Sequence, residues 1–503
     1  MKDNRNLKLI ALLLLVSTAI SLFISCGGSD DNGAGVTTAA GDPAGENETA
    51  EAVTTSEYVN PGLDLAGEEY CIAAYSSDSY YWNAASYCDA IAEEETGEPL
   101  NDSIFQRNRA VEEMLNAKLT CYGVDVSSRN IAEELKKLIM AGEDIVDFAF
   151  VTGSGLPTMM GAEGLVIDIA SIPTIDLSHS WWDQKCVENM RILDRNYAVT
   201  GDISLYAQFS PIVYFLNKAL MTDFSLENPY DLVREGSWTF AKSMEMGKAV
   251  AHDVNGDNVR GIEDVYGMCC EVGSINFVLT AFGVDMTRLD ADGVPQLTYN
   301  TDRTVEAISL TIPYMSDRNY VTRADHYKGY GNAFTEVLLP MFASNRALFF
   351  NNQLLVAMNL RDMEADFGIL PAPKLDEAQE EYIGATNTSW ISFVVVPATN
   401  TKTENTGSVI EALAYYGQKL VTPAYIETTV ITKTLRDSDS AEMLELILAS
   451  RTYDLAYYYN WSSITSIATG LYSSNSTDFA SSYAKSEASI KAAIEKTVEA
   501  IGG

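Results

Sequence analysis

Apolar residues along this chain fall into short runs with two different periods, and the periods alternate. Glu69 to Tyr75 reads as a strand. Behind it, Ile104, Val111 and Leu115 recur at helical spacing after Asn101 or Asp102, either of which can open the helix. A second β run spans Leu119 to Val126. Asn130 can cap the next helix, where Ile131, Leu135, Leu138 and Ile139 share a face, and Gly142 can end it before a third apolar strand at Ile145 to Val151. This β-α-β-α-β order predicts a parallel sheet covered by helices. Ligands of such sheets sit beyond the carboxyl ends of the strands, so the loops Ser76 to Trp82 and Thr152 to Gly155 are candidate walls of a cleft as well as candidate plain turns.

The alternation resumes after a long aromatic-rich middle. Thr239 precedes a helix from Phe240 to Ala251, and Thr304 to Met315 is another. Ala347 to Asn351, Phe367 to Leu370 and Trp390 to Pro397 read as buried strands. Asp439 followed by Glu442 makes a capping-box-like start for a helix carrying Leu444, Ile447, Leu448 and Leu455. The last helix shows Ile490, Ile494, Val498 and Ile501 on one face, and no internal repeat emerges.

The N-terminus has a different logic. Lys2, Arg5 and Lys8 precede an apolar run from Leu9 to Ile24, which ends at Ser25-Cys26-Gly27, the three-part plan of an export signal. Ser17, Thr18 and Ser21 break the run, and a bilayer span needs roughly 20 apolar residues. Phe23-Ile24-Ser25-Cys26 resembles the bacterial lipobox, with Phe23 in place of the usual Leu. The resemblance implies cleavage of residues 1–25 as a lipoprotein signal peptide and a lipid such as palmitate on Cys26; the alternative is an ordinary signal peptide with an incidental cysteine. Residues 27–66 are rich in Gly, Ala, Thr, Asp and Glu, so 26–66 reads as a lipidated start and a disordered tether. Such a coil reaches about 35 Å in root mean square. The expected location is extracytoplasmic, anchored to the outer face of the cell membrane.

The rest of the chain is long enough for two packed lobes. A formal charge of −37 repels phosphate backbones and anionic headgroups, which argues against nucleic acid and against membrane contact other than through the lipid. Cys71, Cys88, Cys121, Cys186, Cys269 and Cys270 show no CxxC spacing, so a zinc or redox site has little support; disulfides and free buried thiols both fit. His179, His252 and His326 form no HExxH, and neither a GxSxG elbow nor a GxxxxGK[ST] loop occurs. With 70 acidic residues some carboxylate pair is always proposable, so a secreted glycoside hydrolase stands as an alternative without a motif of its own.

One loop has metal-ligand spacing. Asp253, Asn255, Asp257 and Asp264 occupy positions one, three, five and twelve, with the carbonyl of Val259 at seven, a pattern that suits Ca²⁺ and resembles the dockerin type of loop. Asn258 stands where glycine is usual, and Asn tolerates the left-handed conformation. A structural Ca²⁺ and a solvated acidic turn are both open readings. A calcium-dependent surface adhesin module would need a second such loop, which is missing.

Val213-Tyr214-Phe215-Leu216-Asn217-Lys218, Asn228-Pro229-Tyr230-Asp231-Leu232-Val233, Gly236-Ser237-Trp238-Thr239-Phe240, Asp253-Val254-Asn255-Gly256-Asp257 and Phe367-Gly368-Ile369-Leu370-Pro371-Ala372-Pro373-Lys374, with the segment 440–455, resemble in order and spacing the extracellular solute-binding lipoproteins of carbohydrate ABC importers. The resemblance implies a type II periplasmic-binding-protein fold, α/β, with two lobes, a hinge and a central ligand cleft. Lobe one would hold 67–205 and 393–430, lobe two 206–392 and 431–503. It further implies a monomer that binds an oligosaccharide without enzymatic turnover and meets ABC permease subunits. By analogy of position the ligand would meet Trp390, Trp461, Tyr459, Phe350, Asn351 and Glu271, with Ser154 and Asp78 from lobe one; sugar rings pack on aromatic faces while a few polar groups bond their hydroxyls. The alternative is that the aromatics are core. Trp181, Trp182 and Trp238 are expected to be structural.

Overall fold

A computed structural model of the chain describes residues 58–59, 61–76, 89–124, 131–160, 164–387, 391–426 and 438–502. Cys26, Asp78, Cys88, Asn130 and Trp390 lie outside the described residues, as do the signal segment and nearly all of the tether. In chain order the strands are β1 Glu68–Tyr75, β2 Ala117–Val124, β3 Phe148–Thr152, β4 Ile212–Asn217, β5 Tyr266–Cys270, β6 Thr287–Leu289 and β7 Pro295–Leu297. Then follow β8 Val321–Arg323, β9 Ala347–Gln353, β10 Phe367–Leu370, β11 Gly384–Ala385, β12 Ser392–Val395 and β13 Arg451–Thr452.

Two sheets organise two lobes. In the first, of order β12-β3-β1-β2, β1 runs parallel to both β2 and β3, and β12 closes the edge antiparallel to β3. Its side chains alternate between two cores. Tyr70, Ile72, Ala74, Phe148, Phe150 and Val394 enter one, while Ala73, Tyr75, Ala149 and Val151 enter the other. The second sheet has the order β10-β4-β9-β5-β8, with β5 parallel to β8 and β9, and β4 antiparallel to β9 and β10. This is the two-lobed α/β architecture that the resemblance implied. No helix among the described residues is long and apolar enough to cross a membrane.

Local chemistry accounts for where elements begin and end. Helix Pro99–Leu115 starts before Asn101 because Pro99 fits the first helical position and the Glu98 carboxylate accepts the Asn101 amide at 2.9 Å. Helix Ile131–Met140 stops where Gly142 takes φ +74°, letting Gly142 N donate to Ile139 O and Glu143 N to Leu138 O. Helix Phe240–Val250 is capped by Thr239 as expected, whereas helix Asp302–Met315 begins ahead of Thr304 because Thr301 is the cap. β3 begins only at Phe148; Ile145 is exposed. The helix expected to run through Leu455 ends at Ala449, since 451–452 leave it to pair with β11, and Asp454 then caps a separate helix, Leu455–Tyr459.

Candidate functional site

Among the described residues, two chain crossings join the lobes. The first passes through helix Leu205–Phe209 into β4, the second through β11 into β12. They are tied side by side: Asn387 N donates to Ser210 O at 2.8 Å, and bridges join Pro211 to Thr386 and Val199 to Val394. At the head of the first crossing, the buried Asp89 carboxylate accepts Ser204 Oγ at 2.8 Å and Leu205 N at 2.6 Å. Burial pushes its pKa up to about 7, against the pull of these donors and of Arg107. Asp202 accepts from Thr422, Gln418 and Gln208, and its pKa is also raised by burial.

Beside the crossings, both sheets turn the carboxyl ends of their parallel strands toward loops. β3 ends in Gly153–Gly155, where Ser154 is exposed and its Oγ lies 3.3 Å from Thr152 Oγ1. β5 ends at Cys270, and the next residue, Glu271, is exposed ahead of helix Ser274–Ala281. β9 ends in Asn351-Asn352-Gln353. Asn351 is buried with neither its amide nitrogen nor its amide oxygen bonded to protein, and Gln353 Oε1 is likewise unbonded. Ser154 and Glu271 therefore stand at strand ends, where α/β sheets bind ligands. Asn351 lies one layer beneath.

The aromatic candidates separate. Phe350 is fully buried against Phe215, Phe334 and Phe342, which makes it part of the lobe-two core rather than a surface. Trp461 is 4% exposed, stacks on Tyr459 at 4.8 Å and 7°, and donates its indole N–H to Thr497. Tyr459 is half-buried, its hydroxyl enclosed without a bonded partner and its pKa raised by burial. Trp181, Trp182 and Trp238 are core residues, as expected.

Tyr459 and Trp461 are the expected ligand contacts of this segment, and Tyr457 and Tyr458 beside them reach across to other elements. Helix Leu455–Tyr459 packs on Gly153–Gly155 and Leu156–Met160 of lobe one. Tyr457 OH bonds Asn276 O and Thr280 Oγ1 of lobe two, both at 2.8 Å. Tyr458 sets its ring edge-on to Phe393 at 5.3 Å and its hydroxyl 3.3 Å from Thr386 Oγ1. Asp454 accepts from Met286 N, Thr287 N and Ala456 N, and burial pushes its pKa up to about 6. The signal for this seam was present in Tyr457-Tyr458-Tyr459, since tyrosines carry a polar end on a large apolar body. The signal for Gln353 was a polar end on an apolar strand.

The loop over 253–264 is tightly bonded. Asp253 accepts from Gly256 N at 2.7 Å and Asn258 N at 2.8 Å, which hold its pKa below the usual carboxylate range. Asp257 accepts from Val259 N and Asn255 N–H₂, while Asp264 accepts from Val254 N and Gly261 N. Asn258 takes φ +62°, the left-handed turn required at that position. These carboxylates are engaged by their own loop, and no group of three or more His, Cys, Asp or Glu side chains among the described residues is placed to hold a metal ion.

No family model and no curated protein matches the sequence. Solved structures do. An ABC substrate-binding protein from Listeria monocytogenes in complex with cycloalternan matches with a TM-score of 0.54 and 13% identity, over 87% of this chain and 99% of that one. UgpB from Mycobacterium tuberculosis in complex with glycerophosphocholine gives 0.55 and 14%, over 80% and 97%. The GacH receptor of Streptomyces glaucescens, solved unliganded and with acarbose, gives 0.51 and 11%, over 86% and 97%. At such identities the likeness establishes the fold: this chain has the two-lobed architecture of ABC-importer solute-binding proteins.

Proposed function

We propose that this chain is the substrate-binding component of an ABC importer, capturing an oligosaccharide between its lobes outside the membrane and handing it to permease subunits. The observation that carries the reading is the match of nearly the full length of several solute-binding proteins, among them receptors solved with cycloalternan, maltotetraose and acarbose. The site agrees in kind, with exposed Ser154 and Glu271 at strand ends and a tyrosine-rich segment reaching both lobes. The reading includes a lipid on Cys26 that anchors the protein, a tether that lets the lobes stand off the surface, and a structural Ca²⁺ on the 253–264 loop. Binding is reversible and leaves the sugar unchanged.

Calorimetry with maltotetraose, xylo-, manno- and galacto-oligosaccharides, and glycerophosphocholine tests the proposal. Heat from one of the sugars, with the sugar recovered intact, is the expected result. Silence from every sugar with binding of glycerophosphocholine would overturn the sugar assignment, and steady release of monosaccharide would overturn the binding-protein reading. Trp390→Ala should weaken binding by roughly 1 to 3 kcal/mol, the value of burying a large apolar side chain.

A further inference from the structure

A buried charged contact joins the lobes away from the cleft. Arg451, on β13, places Nη2 3.2 Å from the Asp183 carboxylate, whose side chains are only 14% and 6% exposed. Tyr453 OH donates to the same carboxylate oxygen at 2.7 Å. Arg451 also donates to Leu448 O at 2.9 Å within lobe two and to Ala207 O at 2.8 Å in the first crossing. The other oxygen of Asp183 caps helix Gln184–Asn189 by accepting Cys186 N. Asp183 belongs to lobe one, because its neighbours Trp181 and Trp182 sit in the core of the first sheet.

Sheet register fixes which side of the hinge this contact occupies. In lobe one, Asp183 N bonds Thr200 O, Thr200 Oγ1 bonds Ser392 O, and Ser392 pairs with Thr152. Thr200, which leads into the first crossing, and Ser392, where the second ends in β12, thus lie between Asp183 and the strand end that carries Ser154. In lobe two, Arg451 pairs with Gly384, Pro211 bridges Thr386, and Ile212 pairs with Gln353, whose strand neighbours β5. Again the crossings lie between Arg451 and the strand ends. A cavity of about 330 Å³, lined by Glu188 and Arg191 of lobe one and by Asp285, Arg288 and Tyr453 of lobe two, opens beside the contact.

We propose that Asp183, Arg451 and Tyr453 form a latch behind the hinge that holds the lobes at their resting angle and thereby sets the affinity of the cleft, an inference that rests on the capture reading above. Contacts on opposite sides of a hinge move in opposite senses. Closing the front draws Ser154 toward Glu271 and draws Asp183 away from Arg451 and Tyr453. The latch therefore opposes closure, and apparent affinity is reduced by the fraction of molecules held open. A weaker latch raises the closed population without any ligand and tightens binding.

The test compares wild type, Tyr453→Phe and Arg451→Met as the full chain in detergent micelles. Single-molecule distances are measured between probes at the exposed Met140 of lobe one and Val259 of lobe two, without ligand and with maltotetraose. Tyr453→Phe keeps the ion pair, so its folding is safe if Arg451→Met fails. Losing its one hydrogen bond should raise the ligand-free closed-to-open ratio roughly fivefold. Arg451→Met should raise it further. Tyr299→Phe, which loses a buried hydroxyl inside lobe two, should leave the distances unchanged. Wild-type distance distributions in folded Tyr453→Phe and Arg451→Met would overturn the latch. A shifted ligand-free distribution without maltotetraose binding supports the latch while counting against the sugar, so the two claims fail separately.

Discussion

Two aromatic clusters in this molecule are wired in opposite ways. In lobe one, Glu411 is buried and accepts His179 Nδ1 at 2.5 Å, Trp181 Nε1 at 3.0 Å and Trp182 Nε1 at 3.1 Å, and every partner belongs to that lobe. In the 453–461 segment, Tyr453 bonds lobe one, Tyr457 bonds lobe two and Tyr458 bonds the second crossing. The first cluster can only resist unfolding. The second can also resist or permit motion, because its bonds end on bodies that move relative to each other. Aromatic content alone does not distinguish these roles; the destination of the polar end does.

The largest effect belongs to the closed cluster. Glu411→Ala would leave two indole N–H groups and His179 Nδ1 facing no acceptor, and should cost roughly 3 to 5 kcal/mol of stability in urea unfolding, by analogy with breaking a buried charged pair. Ligand affinity per folded molecule should stay within about twofold. A large loss of affinity with intact stability would erase the distinction between the clusters.

The next effect is in pH. Burial holds the folded pKa of Asp89 at about 7 and of Asp454 at about 6, above the ordinary aspartate value of 3.8. Between about pH 4 and 7 the folded state keeps protons that the unfolded chain releases, so stability should fall as pH rises through this window and level off above it. Thermal melting from pH 5 to 8 should show that decline, and Asp89→Asn should remove roughly 2 kcal/mol of it. An Asp89→Asn profile parallel to wild type would mean that the crossing carries no proton-linked cost.

Tyr458→Phe should change stability by only about 1 kcal/mol, the worth of one hydrogen bond, while shifting sugar affinity measurably. The smallest effect is expected from calcium, where excess Ca²⁺ should raise the melting temperature by a few degrees and Asp257→Ala should abolish the rise. Identical curves with Ca²⁺ and EDTA would leave a loop held by its own amides.

Much of the fold was legible because it rests on local pattern. Ile72 and Phe150 enter one core while Ala73 and Val151 enter the other, so strand alternation was visible. Thr239 and Gly142 act as cap and stop as their chemistry dictates. The misses come from partners distant in sequence. Leu455 looked helical with Leu448, but pairing of Arg451 with Gly384 breaks that helix. Phe350 looked available until Phe215, Phe334 and Phe342 closed over it. The contact of Asp183 with Arg451 spans hundreds of residues, and a lone Asp and a lone Arg carry no spacing signal.

The antiparallel edge of the first sheet has a consequence for how the chain matures. β12 completes β3 by pairing Ser392 with Thr152 and Val395 with Ala149, yet it is synthesised some 240 residues later. Until it arrives, β3 shows an unpaired apolar edge, Phe148-Ala149-Phe150-Val151, of the kind that templates aggregation. The second sheet, whose strands β4 to β10 are contiguous in the chain, can assemble before β12 is made, although the helices of 438–502 that cover it follow later. The first sheet thus waits for its edge until after the strands of the second are made, and a holding factor that shields extended apolar segments would matter most while residues 150–390 are still emerging.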